Sequence, residues 1–92
     1  MNTANQSLKP VTTKINDKNH LEIGGCDLVD LAEKYGTPLY VYDEKTIRTI
    51  AKQYKEAFSA YPKVSMLYAS KAFMTKAVVR ILDEEGFGFD LV

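Results

Sequence analysis

A lysine that is to attack a carbonyl must be available as the neutral amine, and partial desolvation is the usual way a protein lowers its pKa. Lys71 stands where that can happen, at the end of the apolar run Val64-Ser65-Met66-Leu67-Tyr68-Ala69-Ser70. If the run is a strand, successive side chains alternate, so Leu67, Ala69 and Lys71 share one face and Val64, Met66, Tyr68 and Ser70 the other. In an α/β barrel the carboxyl end of a strand opens on the mouth where active sites are built, and a lysine behind the small Ala69 would project into it. A lysine taken without further context is a solvated surface residue about nine times in ten, and that reading stays open for Lys71 at this point. Asp90 closes a second apolar stretch, FGFD, nineteen residues after Lys71. On residue type alone, it reads equally well as a solvated aspartate at a strand end.

Other reactive residue types carry less. His20 lies in turn-like sequence with no ligand or base at useful spacing, and is expected to be exposed. Cys26, beside Gly24-Gly25, is expected as a small buried filler. With one cysteine and one histidine in the chain, neither a disulfide within it nor a clustered zinc site can be assembled, and no metal is expected. Asp83-Glu84-Glu85 reads as the solvated end of a helix. Tyr68 and Met66 are expected to face outward from the strand, as core against helices.

The elements that must position these residues follow from periodicity. Residues 1–10 are polar, end in Pro10 and read as a loose arm. Val11, Thr13 and Ile15 alternate, residues 16–19 have turn chemistry, and Leu21 and Ile23 alternate again, which predicts two short strands, a hairpin. Asp27 then suits an N-cap, Leu28, Leu31, Ala32 and Tyr35 fall at helical spacing, and Gly36 suits a C-cap. Leu39 to Tyr42 reads as a strand. Asp43 would cap a longer helix whose buried stripe is Ile47, Ile50, Ala51, Tyr54, Ala57 and Phe58, ended by Pro62. After the strand over 64–70, a third helix follows Thr75 with Ala77, Val78, Ile81 and Leu82 on one face. Gly86 ends it, and Phe87, Phe89 and Leu91 alternate in a last strand. Strand, helix, strand, helix, strand is the pattern of a parallel α/β sheet.

Composition places this pattern in an ordinary globular chain. The 92 residues are 46% hydrophobic and 26% charged, with twelve basic groups cancelling twelve acidic ones. Lys and Arg are scattered rather than striped, so nucleic acid is not an expected partner. No apolar run approaches a membrane span, and the first thirty residues lack a secretory or transit pattern, which makes the cytoplasm the default.

YASKAF at residues 68–73, FGFD at 87–90 and the upstream run IGGCDLVDLAEKYGTPLYVYDEKTIR at 23–48 together resemble the fold-type III pyridoxal-phosphate decarboxylases. Among them the likeness is to the diaminopimelate decarboxylases, and it covers residues 11–92. The resemblance implies a (β/α)₈ TIM-type barrel, opened by residues 26–92 and preceded by short β-strands at 11–25 that belong to the parent's β-domain. It implies pyridoxal 5'-phosphate held by Lys71, with Ala69 and Asp90 beside the cofactor and Asp90 positioning the lysine electrostatically. The implied reaction is decarboxylation of meso-2,6-diaminopimelate to lysine, an amino-acid substrate, in lysine biosynthesis by a homodimeric parent. By the same resemblance, the Gly-rich phosphate loop, the carboxylate facing the pyridine nitrogen, the catalytic histidine, the substrate-binding arginine and a cysteine from the partner subunit are expected beyond residue 92.

Two alternatives stay open. Ornithine, arginine or carboxynorspermidine decarboxylases would share the YAxKx pattern, whereas an alanine racemase would follow its lysine with Ala-Asn-Ala-Tyr-Gly, which Ala72-Phe73-Met74 does not match. A non-enzymatic barrel that merely carries the cofactor would also present such a lysine, without the GTPLYVYD segment. The last apolar strand is followed by neither turn nor cap, so the chain is expected to be the N-terminal piece of a longer protein. An unpaired apolar edge predicts that the isolated 92 residues are marginally folded or self-associating. Sedimentation and thermal melting check this, and a monodisperse monomer with a sharp transition would contradict it.

Overall fold

In a computed structural model, which describes residues 8–91, the chain divides into two compact units that meet at Thr46 and Ile47. Most of the arm expected over residues 1–10 lies outside the described residues, as does Val92.

The first unit is built on a three-stranded antiparallel sheet of β1 (Lys14–Ile15), β2 (Leu21–Ile23) and β3 (Cys26–Asp27), in that order. The hairpin between β1 and β2 turns on Asn16, whose Oδ1 accepts the amides of Lys18 and His20 at 3.0 Å each. Asparagine holds a turn in this way because its short side chain reaches its own backbone two residues on. Gly24 and Gly25 join β2 to β3 with φ of 59° and 79°, and a two-residue turn with both positions left-handed is a glycine turn. β1 is shorter than the alternation predicts. The Thr13 amide bonds back to the Pro10 carbonyl at 3.0 Å, so Val11 and Thr13 lie in a turn rather than a ladder.

Helix α1 (Leu28–Tyr35) has the ends expected of it. Asp27 Oδ1 accepts the amides of Val29 and Asp30, and Gly36, at φ 82°, returns its own amide to the Ala32 carbonyl at 2.8 Å. Leu39 to Tyr42, in contrast, is not a strand. The run is apolar and β-branched enough to be extended, but a strand exists only as a ladder with a neighbour. Tyr40 is 87% exposed there. Cys26 is exposed rather than a buried filler, because it stands just after the turn on the outer strand of the small sheet.

Two carboxylates tie this unit together. Asp43 is buried; it accepts the Thr46 amide at 3.2 Å as helix N-cap and the Thr12 hydroxyl at 2.8 Å, while Thr12 Oγ1 itself accepts the Gly24 amide. Burial pushes the Asp43 carboxyl up, but hydrogen bonds from Thr46 and Thr12 and the nearby Lys45 charge outweigh it, and its pKa is lowered. Asp27 is the second. Besides capping α1, its Oδ2 lies 2.8 Å from Asn16 Nδ2 and 2.9 Å from His20 Nδ1. His20 is therefore half-buried and has a carboxylate partner, contrary to the exposed, partnerless residue expected. Burial raises the Asp27 pKa, yet the bonds from Asn16, His20 and the two helix amides hold it far below the ordinary value of 3.8.

In the second unit α2 (Glu44–Ala57) continues from its cap, and β4 (Leu67–Ala69), α3 (Lys76–Glu84) and β5 (Gly88–Asp90) form one strand–helix–strand unit with parallel strands. Ala51 of α2 and Val78 and Leu82 of α3 are buried together, with Ile47, Tyr68, Phe73, Phe87 and Phe89 packed on them. Thr75 Oγ1 caps α3 by accepting the Val78 amide at 3.3 Å, and Gly86, at φ 84°, follows the helix end. Ile50, Tyr54 and Phe58, expected in the stripe of α2, are 46%, 56% and 43% exposed, so the described residues bury only part of that face.

Because the Asp27 pKa is lowered on folding, its ionised form contributes stability above the unfolded value of 3.8 that is lost progressively as pH falls below it. Amide exchange at Val29 and Asp30 should accelerate across that acid range, and Asp27→Ala should give the fast exchange at neutral pH. Protection of those two amides unchanged by Asp27→Ala would rule out the cap as what holds this end of α1.

Candidate active site

The register of the parallel pair places the residues singled out by the sequence. Leu67 pairs with Gly88, Tyr68 with Phe89 and Ala69 with Asp90. β4 is shorter than the run 64–70 read as a strand, and Lys71 lies beyond its end in a turn, so alternation does not place that side chain. Within the pair alternation holds as expected, Tyr68 meeting Phe89 edge-on at 6.4 Å on the side of the helices while Leu67, Ala69 and Asp90 are exposed on the other. A β-carbon at Gly88 would stand 2.8 Å from Leu67 Cδ2, which confirms that these two positions look the same way. Met66 is half-buried on the helix side, as its parity requires.

The ladder continues one residue past each strand end. Gly88 donates its amide to the Met66 carbonyl at 2.8 Å, and Ser70 donates both its amide, at 3.2 Å, and its hydroxyl, at 2.7 Å, to the Asp90 carbonyl. Lys71 follows at once, in a turn closed by the Ala72 amide on the Ala69 carbonyl at 3.1 Å. Tyr68 Oη reaches round to the Phe73 carbonyl at 2.6 Å. Lys71 and Asp90 thus stand at the carboxyl ends of two hydrogen-bonded parallel strands, with Ala69 directly paired to Asp90.

The desolvation expected of Lys71 is not provided by these residues. Its side chain is exposed, because only the helix side of the two-stranded pair is packed. The two strand ends thus present one amine, Lys71, and one carboxylate, Asp90, with small Ala69 between them in the ladder; such an amine could capture an aldehyde once it has lost its proton. Among the described residues no group of three His, Cys, Asp or Glu side chains is placed to hold a metal ion. His20 and Cys26 belong to the other unit.

Glu84 and Glu85 are not simply a solvated helix end. Arg48 Nη1 donates to Glu85 Oε2 at 2.8 Å and Nη2 to Glu84 Oε1 at 2.6 Å, so one guanidinium of α2 grips the end of α3. Its two terminal nitrogens, fixed in one planar fork, each take a different carboxylate. Two partnerships thus escaped sequence reasoning. The His20–Asp27 pair had a signal in Gly24-Gly25: read as a two-residue hairpin turn, it sets Glu22 opposite Asp27 and His20 diagonal to it. The Arg48 fork had none, since it depends on how two helices pack.

Comparison with known proteins adds an independent line. Residues 47–92 match the pyridoxal-dependent decarboxylases over the pyridoxal binding domain of that family. The chain is 52% identical over 82 residues to a diaminopimelate decarboxylase of Bacillus methanolicus, 51% over 90 residues to one of a Synechocystis species, and 54% over 82 residues to one of Bacillus subtilis. These alignments take in 88%, 96% and 88% of the chain but 19% of each relative.

Proposed function

Because this chain belongs to the pyridoxal-dependent decarboxylases, we propose that it supplies the cofactor-holding lysine, Lys71, to a protein that decarboxylates meso-2,6-diaminopimelate to L-lysine. The observation that carries this reading is the placement of Lys71 and Asp90 at the carboxyl ends of two adjacent parallel strands joined by α3. One strand–helix–strand unit of that kind is the repeating element of a (β/α)₈ barrel, and we read residues 26–92 as the start of such a barrel and residues 11–25 as strands of a separate β-domain. Identity near 50% to relatives named diaminopimelate decarboxylase supports the substrate over ornithine, arginine or carboxynorspermidine.

Pyridoxal phosphate, when bound, withdraws electrons from the α-carbon of an amino acid, which is what loss of a carboxylate requires. The chain's own residues have narrower tasks. Lys71 would hold the cofactor through its Nζ, and an amine at that strand end could also carry a proton. Asp90 places a negative charge at the neighbouring strand end, favouring a positively charged nitrogen there. Ala69, paired with Asp90, leaves room where a larger side chain would fill the approach. A homodimeric, cytoplasmic protein accompanies this reading; no helix among the described residues is long and apolar enough to cross a membrane.

Borohydride reduction of the cofactor-loaded full-length protein, followed by peptide mapping, tests the assignment. The pyridoxyl adduct is expected on Lys71. Lys71→Ala should abolish it and lower decarboxylation on the order of 10²- to 10⁴-fold, the range for a lost proton-transfer group. Lys76→Ala should leave both largely intact. An adduct on the exposed Lys63 or Lys76, or near-normal turnover by Lys71→Ala, would overturn the reading. The isolated 92 residues are expected to release no carbon dioxide from diaminopimelate, and saturable turnover by them would contradict the division of labour.

A further inference from the structure

Two hydroxyls flank the end of β4, one on Tyr68 within the strand and one on Ser70 just after it. Both are spent on the turn that carries Lys71. The Tyr68 ring lies on the cluster of Ala51, Val78 and Leu82, edge-on to Phe89, and its Oη donates to the Phe73 carbonyl, two residues after Lys71. Ser70 Oγ donates to the Asp90 carbonyl, one residue before it. A polar group is tolerated at such a position when it is hydrogen-bonded, and here each bond ends on backbone, not on another side chain.

We propose that Tyr68 and Ser70 are positioning residues for Lys71, clamping the backbone of its turn on both sides so that the amine leaves from a fixed Cα. This rests on Lys71 being the cofactor lysine. Lys71 is exposed and its amine ends a chain of four methylenes, so packing does not fix its direction. What the fold fixes is the backbone beneath it: Ser70 to Asp90 before it, Ala72 to Ala69 across it, Tyr68 to Phe73 after it. Tyr68 transmits the stiffness of the buried cluster to a loop that has no packing of its own. Ser70 ties the same loop to the backbone of Asp90, so the two candidate site residues move as one piece. Each hydroxyl acts through the backbone carbonyl it bonds, of Phe73 or of Asp90.

The test uses the full-length decarboxylase carrying this sequence, with Tyr68→Phe, Ser70→Ala, Ser70→Thr and Lys71→Ala. Tyr68→Phe keeps the ring and loses only the hydroxyl; Ser70→Thr keeps the hydroxyl. The main readout is the rate at which added pyridoxal phosphate becomes attached to Lys71, followed by the visible absorbance of the lysine-bound cofactor and by borohydride trapping with peptide mapping. Tyr68→Phe and Ser70→Ala are each expected to slow attachment and lower kcat about tenfold, a fraction of the loss a 1 Å misplacement can cause, with KM changed less than about twofold. Ser70→Thr should restore both. Attachment at the wild-type rate in Tyr68→Phe and Ser70→Ala, with any effect confined to a lowered melting temperature, would overturn the clamp. Should Tyr68→Phe fail to fold, the Ser70→Ala and Ser70→Thr pair decides alone. An adduct that persists in Lys71→Ala would instead refute the assignment of the cofactor lysine.

Discussion

The parallel register between β4 and β5 decides which side chains meet, because a strand has only two faces and every residue is committed to one. With Tyr68 opposite Phe89, both rings turn to the helices and join Ala51, Val78 and Leu82. Ala69 and Asp90 are then left on the other side by the same count. A slip of one residue would drive Asp90 into the apolar cluster and turn Phe89 to the open face, so packing of the rings and placement of the polar residues are a single constraint. The buried cluster is small, and that makes the aromatic pair more important to it.

Much of this was legible in the residues, and the reasons differ by element. Helices α1 and α3 could be read because their caps are local chemistry: Asp27, Gly36 and Thr75 act on amides or carbonyls within four positions. The faces of β4 followed from alternation alone, and with them the core role of Tyr68. Leu39 to Tyr42 failed for the opposite reason, since an extended apolar run becomes a strand only when something pairs with it. Arg48 with Glu84 and Glu85 was invisible because the partners are 36 and 37 residues apart and meet only through helix packing. The neighbourhood of Lys71 was readable as sequence order, whereas its exposure was not, because desolvation is a property of everything that surrounds a site.

Asp27 and Asp43 show how a unit with little apolar interior holds together. Each caps a helix and at the same time accepts bonds from residues far away in sequence, Asn16 and His20 in one case and Thr12 in the other. A carboxylate suits this double task because its two oxygens offer about four acceptor directions. Gly24 is bound into the second network through Thr12, and a β-carbon on it would stand 3.1 Å from Asp43 Oδ1. The hairpin turn thus owes its glycine to close approach as well as to its backbone angles.

The strand pairings also bear on how the chain acquires this structure as it is made. β1 with β2 and β2 with β3 join residues within a few positions of one another, and β4 with β5 closes a loop of about twenty residues around α3. Contacts of such short span close quickly and need no distant partner. Synthesis delivers residues from the N-terminus at about 5–20 per second, so each pairing can form within seconds of its second strand leaving the ribosome. The ladder at the base of Lys71 thus draws both of its strands from residues 67–90 and waits on no partner from elsewhere in the chain.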